Sequence, residues 1–350
     1  MNFKKNSKYM SRKYVLLAAL FVLSYININS QVQRNRTATL MGCKFDFSIL
    51  AEDSLQAEKY IDKAIDEIVR IENLISDWKP DSQVSKVNQN AGIQPVKVDR
   101  EVLELTRRAI KISEITEGAF DISFAAMDKI WKFDGSMKKV PLEEQIKESI
   151  KKIGYKNIII DTLHSTLFLK LPGMKIGFGS IGKGYAADKA KELMVKNNVK
   201  AGIINASGDI SVWGHKINGE YWNIGIINPF EPSDITGFFT LKDECVTTSG
   251  SYEKYVELEG KKYSHIIDPR TGYPVKGIKS VSVIGPNAET ANGFSTSIMV
   301  LGVKAGRKLI NHYPDYSCLI ITDAGKIRKS KYFKTKVEFY NKKIKSATRL

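Results

Sequence analysis

The chain is poor in cysteine, histidine and proline, and none of the three is arranged in a recognisable framework. Three cysteines, at 43, 245 and 318, are scattered through 350 residues. Their number is odd and no C-x-x-C occurs, so no disulfide framework is encoded, and the three read as small buried hydrophobes. Four histidines, at 164, 215, 265 and 312, lie too far apart for the His/Cys spacings of a zinc site. No internal repeat or low-complexity linker breaks the chain into modules. The apolar run at 14–26, "YVLLAALFVLSYI", reaches about 20 Å as a helix, short of the roughly 30 Å hydrocarbon core. Behind the basic segment "KKNSKYMSRK" it reads as a secretory signal over residues 1–30, with cleavage near Ser30 and Gln31. The expectation is export across the inner membrane, to the periplasm or to the inner-membrane surface, with an uncleaved anchor as the alternative. No cysteine sits near the junction to carry a lipid.

Acidic residues are scarce at both ends. The net charge is +16, and residues 1–13 supply +5 of it while residues 326–350 supply +9. The long middle of the chain is close to neutral, so no basic nucleic-acid face is indicated. The segment 336–350 reads as a solvated basic tail, with peripheral contact with an anionic membrane surface left open.

With 43% hydrophobic residues, the rest is enough for one large domain, residues 31–335. Alternation over 37–50 predicts a strand. Ala57, Ile61, Ala64, Ile65, Ile68, Ile71 and Ile75 fall on one helical face behind Asp53 or Ser54 as cap, and Pro80 forbids continuation. A second helix is expected over about 100–116, and a third from Pro141, in its first turn, to Gly154. Strands "NIIID" and "TLFLKL" follow, then a strand leading into the glycine-rich segment at 175–194 and a helix after it. Beyond 200 the chain is mostly strands, with helices over about 288–301 and 304–312 and a last strand "CLIIT". Early helices and late, antiparallel-looking strands argue for an α+β fold with mixed or antiparallel sheets rather than a doubly wound parallel one.

The segment "KIGFGSIGKGYAADKAKELM" contains both G-x-G-x-x-G and G-x-x-x-x-G-K. Neither reading survives. A dinucleotide fingerprint needs an acid about 20 residues on, and the next strand ends only at Asp209. A P-loop needs a hydroxyl after its lysine, and Gly184 has none. What remains is glycines beside a helix N-terminus, which leave backbone N–H groups for a phosphate, with Lys183 adding positive charge.

Other segments narrow the choice: "MGCKFD" at 41–46, "SDWKPDSQVSKVN" at 76–88, "GAFDIS" at 118–123, "SIGKGYAAD" at 180–188, "ASGDI" at 206–210, "TTSGSYEKY" at 247–255, "SHIIDPRTGYPV" at 264–275 and "AETANGFSTSIM" at 288–299. This ordered set, running from about 40 to 330, resembles the ApbE family, the FAD:protein FMN transferases. H-x-x-D-P-x-x-G-x-P together with G-x-x-K-G-Y-x-x-D is the specific part. The resemblance implies a two-lobed α+β fold with FAD in the cleft between the lobes. It implies Mg²⁺-dependent cleavage of FAD, attachment of FMN through a phosphoester to a Thr or Ser of an acceptor flavoprotein, and release of AMP. FMN-carrying subunits of membrane electron-transfer complexes are the implied acceptors. Two alternatives share the site: an FAD pyrophosphatase yielding FMN and AMP, and a non-enzymatic FAD-binding protein.

The resemblance places metal ligands at Ser180, Asn292 and Thr296. Relatives usually carry Asp where Asn292 stands, so a charge is missing and metal affinity should fall unless FAD phosphates make up the difference. His265 is the acid/base. The cofactor-binding set is Met41, Trp78, Ala119, Phe120, Asp121, Gly177, Lys183 and Ile267. Within it Met41 touches the isoalloxazine or is core, Trp78 stacks on a ring or packs at a loop end, and Ala119, Phe120 and Asp121 line the adenosine end. Asp121 accepts from a ribose or base there, or is only a turn acid. Lys183 pairs with phosphate. Gly177 stands where many relatives have Asp, so one flavin contact is lost. Asp268 fixes the turn that positions His265, Asp209 scaffolds the site, and Thr248, Ser249 and Gly250 form a strand-end loop beside the cleft.

Overall fold

The structure is a computed structural model and describes residues 31–340. The signal reading at 1–30 and the end of the basic tail from 341 onward lie outside the described residues. Among the described residues no helix is long and apolar enough to cross a membrane.

The chain opens with strands β1 (Val32–Leu40) and β2 (Cys43–Ala51), helices α1 (Ser54–Ile75) and α2 (Gln83–Gln89), strand β3 (Val96–Lys97) and helix α3 (Arg100–Ile115). A 3-10 turn (Ile122–Ala126), α4 (Glu143–Ser149), β4 (Ile158–Asp161), β5 (Thr166–Leu169) and α5 (Ile181–Lys196) follow. Then come β6 (Ala201–Ala206), β7 (Asp209–Trp213), β8 (Trp222–Ile227), β9 (Ile235–Leu241), β10 (Cys245–Gly250), β11 (Tyr255–Leu258), β12 (Lys261–Ser264) and β13 (Ile278–Gly285). Helix α6 (Ala288–Ile310) and strands β14 (Ser317–Thr322), β15 (Ile327–Lys329) and β16 (Lys336–Phe339) complete the described chain.

Eight strands form one antiparallel sheet in the order β1-β2-β6-β7-β10-β13-β14-β15. Side chains alternate across it. Val281, Val283, Cys318 and Ile320 face α6, where they meet Ala291, Phe294 and Ile298. Their neighbours Ile284, Leu319 and Ile321 face the other way, onto Trp222, Ile224 and Phe239 of a second antiparallel sheet, β16-β9-β8. Burial on both faces explains why "CLIIT" carries no apolar–polar alternation and why the serines of "SVSVIG", Ser280 and Ser282, are buried as well. Near the start of the sheet, Phe45, Phe47 and Ile49 pack with the buried stripe of α1 (Ile61, Ile68, Ile71) and with Ala186 and Ala190 of α5. The expected stripe and cap of α1 are present, with Asp53 accepting from the Gln56 N–H. The α+β class holds, with helices α1, α5 and α6 covering one face of the large sheet.

Five local expectations need correction. The single strand over 37–50 is a hairpin, broken at Met41 and Gly42, whose φ angles are 50° and 69°. Pro141 precedes Leu142, the capping residue, rather than standing in the first turn of α4. No strand leads into the glycine-rich segment; the Asn88 side chain clamps Ile176 instead, accepting from its N–H and donating to its carbonyl, while the Gly177 N–H donates to Ile122 O. Thr248, Ser249 and Gly250 are strand residues of β10, not a loop. The basic tail does not begin at 336, because residues 336–339 are β16, paired with β9 and laying Val337 and Phe339 on the second core. High charge hid that short alternation. The helix over 288–310 does divide as expected, at Gly302, whose backbone is non-helical (φ 79°, ψ 174°).

Candidate active site

A cleft of about 420 Å³ opens where the loop after α1, the segment 119–125, the start of α5, the ends of β6, β7 and β10, the segment after β12 and the first turns of α6 converge. Ser180 stands at the cap position of helix α5, and no side chain caps the helix. The Gly182 N–H donates to Phe178 O at 2.6 Å, and the first turn has no side-chain cap. Gly184 lets α5 cross against α6: a Cβ there would stand 2.7 Å from Ala288 O. The position that fails the P-loop pattern is thus a helix-contact glycine.

That crossing brings three oxygens together. The Ser180 hydroxyl donates to Asn292 Oδ1 at 2.6 Å and lies 3.1 Å from Thr296 Oγ1. Asn292 and Thr296 are i and i+4 on α6 and share a face; Thr296 donates to Asn292 Oδ1 at 3.4 Å. Ser249 adds a fourth hydroxyl, 2.8 Å from Ser295 Oγ and 3.5 Å from Thr296 Oγ1. Behind Asn292 lies Asp209, wholly buried, whose Oδ1 accepts from Asn292 Nδ2 at 2.8 Å. Burial pushes the Asp209 carboxyl up to about 6, against the opposing pull of Lys183 and of the Asn292 bond. The Lys183 ammonium stands 4.0 Å from Asp209 Oδ2 and lines the cleft.

His265 lies across the cleft in the segment after β12. Its Nδ1 is 3.0 Å from Lys254 O. A carbonyl only accepts, so Nδ1 carries the proton and Nε2 keeps its lone pair. Burial holds the imidazole below its ordinary pKa, partly offset by the Lys254 carbonyl bond, with the charges of Lys254 and Lys183 adding to the depression. The ring is therefore neutral at pH 7 and carries an available base. Asp268 binds the Arg270 guanidinium at 2.8 and 2.9 Å and accepts from its backbone N–H, which fixes the turn after His265. Phe133 meets the His265 ring edge-on at 6.4 Å.

The mouth is different in character. Trp78 is 78% exposed, and the Lys129 ammonium sits 4.6 Å from its ring centroid. The alternative in which Trp78 packs on the core is overturned. Ala119, Phe120 and Ile267 are buried and line the wall. Asp121 lines it too, but its carboxylate caps the 3-10 turn, accepting from Ser123 N, Ser123 Oγ and Tyr155 N at 2.8, 2.6 and 2.8 Å. Those bonds favour the turn role over a contact with ribose or base. Gly177 borders the cleft where Asp77 approaches; a Cβ at 177 would stand 3.1 Å from Asp77 Oδ2. Met41 is the one expected site residue that does not line the cleft. It sits at the β1–β2 turn on the core formed with α1 and α5, and a Cβ at Gly182 would lie 3.7 Å from its Cε.

A model described as the ApbE family matches residues 41–320. The chain belongs to the ApbE family. It is 30% identical over 288 residues to an FAD:protein FMN transferase of Klebsiella pneumoniae, covering 82% of this chain and 88% of the relative. A protein of the same name from Haemophilus influenzae is 30% identical over 302 residues, covering 83% and 87%. The crystal structure of the ApbE protein from Thermotoga maritima superposes with a TM-score of 0.78 at 31% identity, covering 87% of this chain and 98% of that one. Flavin transferase ApbE from Vibrio cholerae superposes at 0.76 with 25% identity, covering 87% and 99%.

For an ApbE chain the donor set at Ser180, Asn292 and Thr296 consists of hard but uncharged oxygens. Among the described residues there is no cluster of three or more His, Cys, Asp or Glu side chains. Oxygens held 2.6–3.4 Å apart fit around a small divalent cation that brings anionic ligands of its own, such as phosphates. Asp209 Oδ2, buried without a hydrogen-bond partner, adds negative potential beneath them. Asp77 and Glu253 also line the cleft and were not singled out from the sequence. Both flank motif residues, Asp77 beside Trp78 and Glu253 inside "TTSGSYEKY", and that adjacency was the available signal. Burial raises the Glu253 carboxyl above its usual pKa, with the Lys183 and Lys254 charges opposing.

Proposed function

We propose that the chain is an FAD:protein FMN transferase, which cleaves FAD and attaches FMN through a phosphoester to a Thr or Ser hydroxyl of an acceptor flavoprotein, releasing AMP. One observation carries the reading: a histidine whose Nδ1 is held by a backbone carbonyl, a lysine at the start of a helix and a cluster of oxygen donors line a single cleft. The exposed face of Trp78 at the mouth suits a flavin or adenine ring.

Lys183 and the uncapped start of α5 hold the pyrophosphate. His265 Nε2 takes the proton of the acceptor hydroxyl as the new O–P bond forms and the bond to the AMP oxygen breaks. Ser180, Asn292 and Thr296 would hold Mg²⁺, which when bound neutralises charge on the pyrophosphate. Export fits acceptors outside the cytoplasm, among them flavin-carrying subunits of membrane electron-transfer complexes.

The test is incubation of the protein with FAD, Mg²⁺ and such an acceptor. Fluorescence of the acceptor band in a denaturing gel, with AMP released in equal amount, is expected. AMP with an unlabelled acceptor would mean hydrolysis, and no product at all would mean binding alone; either result overturns the transferase reading.

A further inference from the structure

The amide of Asn292 has two ends, and its neighbour decides which one meets the cleft. Asp209 opens β7 and is 2% exposed. Its Oδ1 takes the Asn292 Nδ2–H at 2.8 Å. An ionised carboxylate only accepts, so the NH₂ end is turned inward and Oδ1 is left to Ser180 and Thr296. The other carboxylate oxygen, Asp209 Oδ2, is buried with no hydrogen-bond partner. An unpartnered buried carboxylate oxygen is costly and rarely retained without use. Among the described residues its one ion pair is with the Lys183 ammonium, at the long distance of 4.0 Å.

We propose that Asp209 is a positioning residue for the cation end of the cleft: it turns the Asn292 oxygen toward a divalent cation and supplies, from behind, the negative potential that Ser180, Asn292 and Thr296 lack. The proposal rests on the reading of those three residues as cation ligands. The charge of this site stands one side chain behind the ligand, and the amide transmits it. Adding a carboxylate at 292 while Asp209 remains would set two like charges at hydrogen-bond distance, so Asn292→Asp alone is a poor test. Exchanging the pair is a good one, because Asp209→Asn with Asn292→Asp keeps one carboxylate, one amide and the bond between them.

The experiment is calorimetric titration of Mg²⁺ into the full protein saturated with FAD, without acceptor, together with thermal melting in the absence of Mg²⁺. Asp209→Asn should weaken Mg²⁺ binding roughly tenfold or more, the usual effect of removing a group that orients a metal ligand. Its melting temperature should not fall. The exchange variant should return Mg²⁺ affinity to within about threefold of the wild type, the carboxylate being restored to the site. Wild-type affinity in Asp209→Asn would overturn the proposal, as would an exchange variant as weak as the single one. So would an affinity loss accompanied by a matching loss of thermal stability, since that marks a merely structural residue. If the wild type itself takes up no Mg²⁺ with FAD bound, the ligand assignment fails and Asp209 has nothing to position.

Discussion

Two buried aspartates stand on opposite sides of the contact between α5 and α6. Asp188 lies on the closed side. Its Oδ1 accepts from Ser211 Oγ at 2.7 Å, and its Oδ2 accepts from the Ala288 and Glu289 N–H groups at 2.7 and 3.0 Å. Asp209 lies on the cleft side, two residues before Ser211 on the same face of β7, with a single bond and one orphaned oxygen. Burial raises both carboxyls. Burial and a raised pKa therefore do not distinguish the two; hydrogen-bond satisfaction does. The closed side is a staple that holds the first turn of α6 against α5. The open side leaves the Asp209 Oδ2 oxygen without a hydrogen-bond partner among the described residues.

The largest effect should come from the group facing the open side. His265→Ala should lower the rate of FMN transfer roughly 10²–10⁴-fold while FAD still binds. A wild-type rate would remove the histidine from the chemistry. Because burial lowers the His265 pKa, the base form persists into mild acid. The acid limb of kcat/KM should then fall below the pH of an ordinary histidine, and a limb at or above it would contradict the neutral-imidazole geometry.

Breaking the closed side should damage stability instead. Asp188→Ala removes three accepted bonds and leaves two buried amides and a hydroxyl unpaired, a loss of about 3 kcal/mol and a Tm drop of roughly 5 °C or more. The FAD dissociation constant of the protein that remains folded should be unchanged. A variant with full stability and weak FAD binding would invert the comparison.

The open side should give the opposite sign. The folded Asp209 carboxyl holds its proton up to about 6, against the usual 3.8. The folded state binds more protons than the unfolded one between about pH 4 and pH 6, so this group makes stability fall as pH rises through that window and stay low above it. Asp209→Asn removes that penalty and should stabilise the protein at pH 8 by roughly 1–3 kcal/mol while leaving it little changed at pH 4. Denaturant unfolding at the two pH values measures it. Destabilisation at pH 8 would mean that the carboxylate is satisfied after all. The smallest effect belongs to the mouth: Trp78→Ala should weaken FAD binding by about 1 kcal/mol, near fivefold, without moving Tm. Quenching of FAD fluorescence reads the first, and an unaltered FAD affinity would take Trp78 out of the site.

Much of this was legible in order along the chain. The stripe of α1, the break of α6 at Gly302 and the turn after His265 are local matters of spacing, capping and chain stiffness, so they could be read from neighbours in sequence. Ser180, Asn292 and Thr296 are different: only the family resemblance grouped them, since Ser180 and Asn292 stand 112 residues apart and the crossing of α5 and α6 is what brings them within hydrogen-bond distance. Met41 could not be placed from its motif, because the motif is local while its destination is not: of its two readings the core one describes its packing, since the hairpin turn lays it on the core beside Gly182 and it does not line the cleft. Asp121 could be assigned only once Tyr155, 34 residues on, was seen to donate to it. The segment before Ser180 looked like a strand because it is apolar, yet its hydrogen bonds go to the Asn88 side chain and to a 3-10 turn.

What the sequence determined by itself is the set of elements and the chemistry available to them, since periodicity, caps and side-chain type are properties of residues close in the chain. What only the tertiary structure decided is which buried carboxylate is idle and which is satisfied. Asp188 and Asp209 are both acids in short motif segments, GYAAD and ASGDI, and nothing in either segment separates them. The separation depends on partners 100 and 83 residues away, at Ala288 and Asn292, which the crossing of two helices over one sheet brings within hydrogen-bond reach.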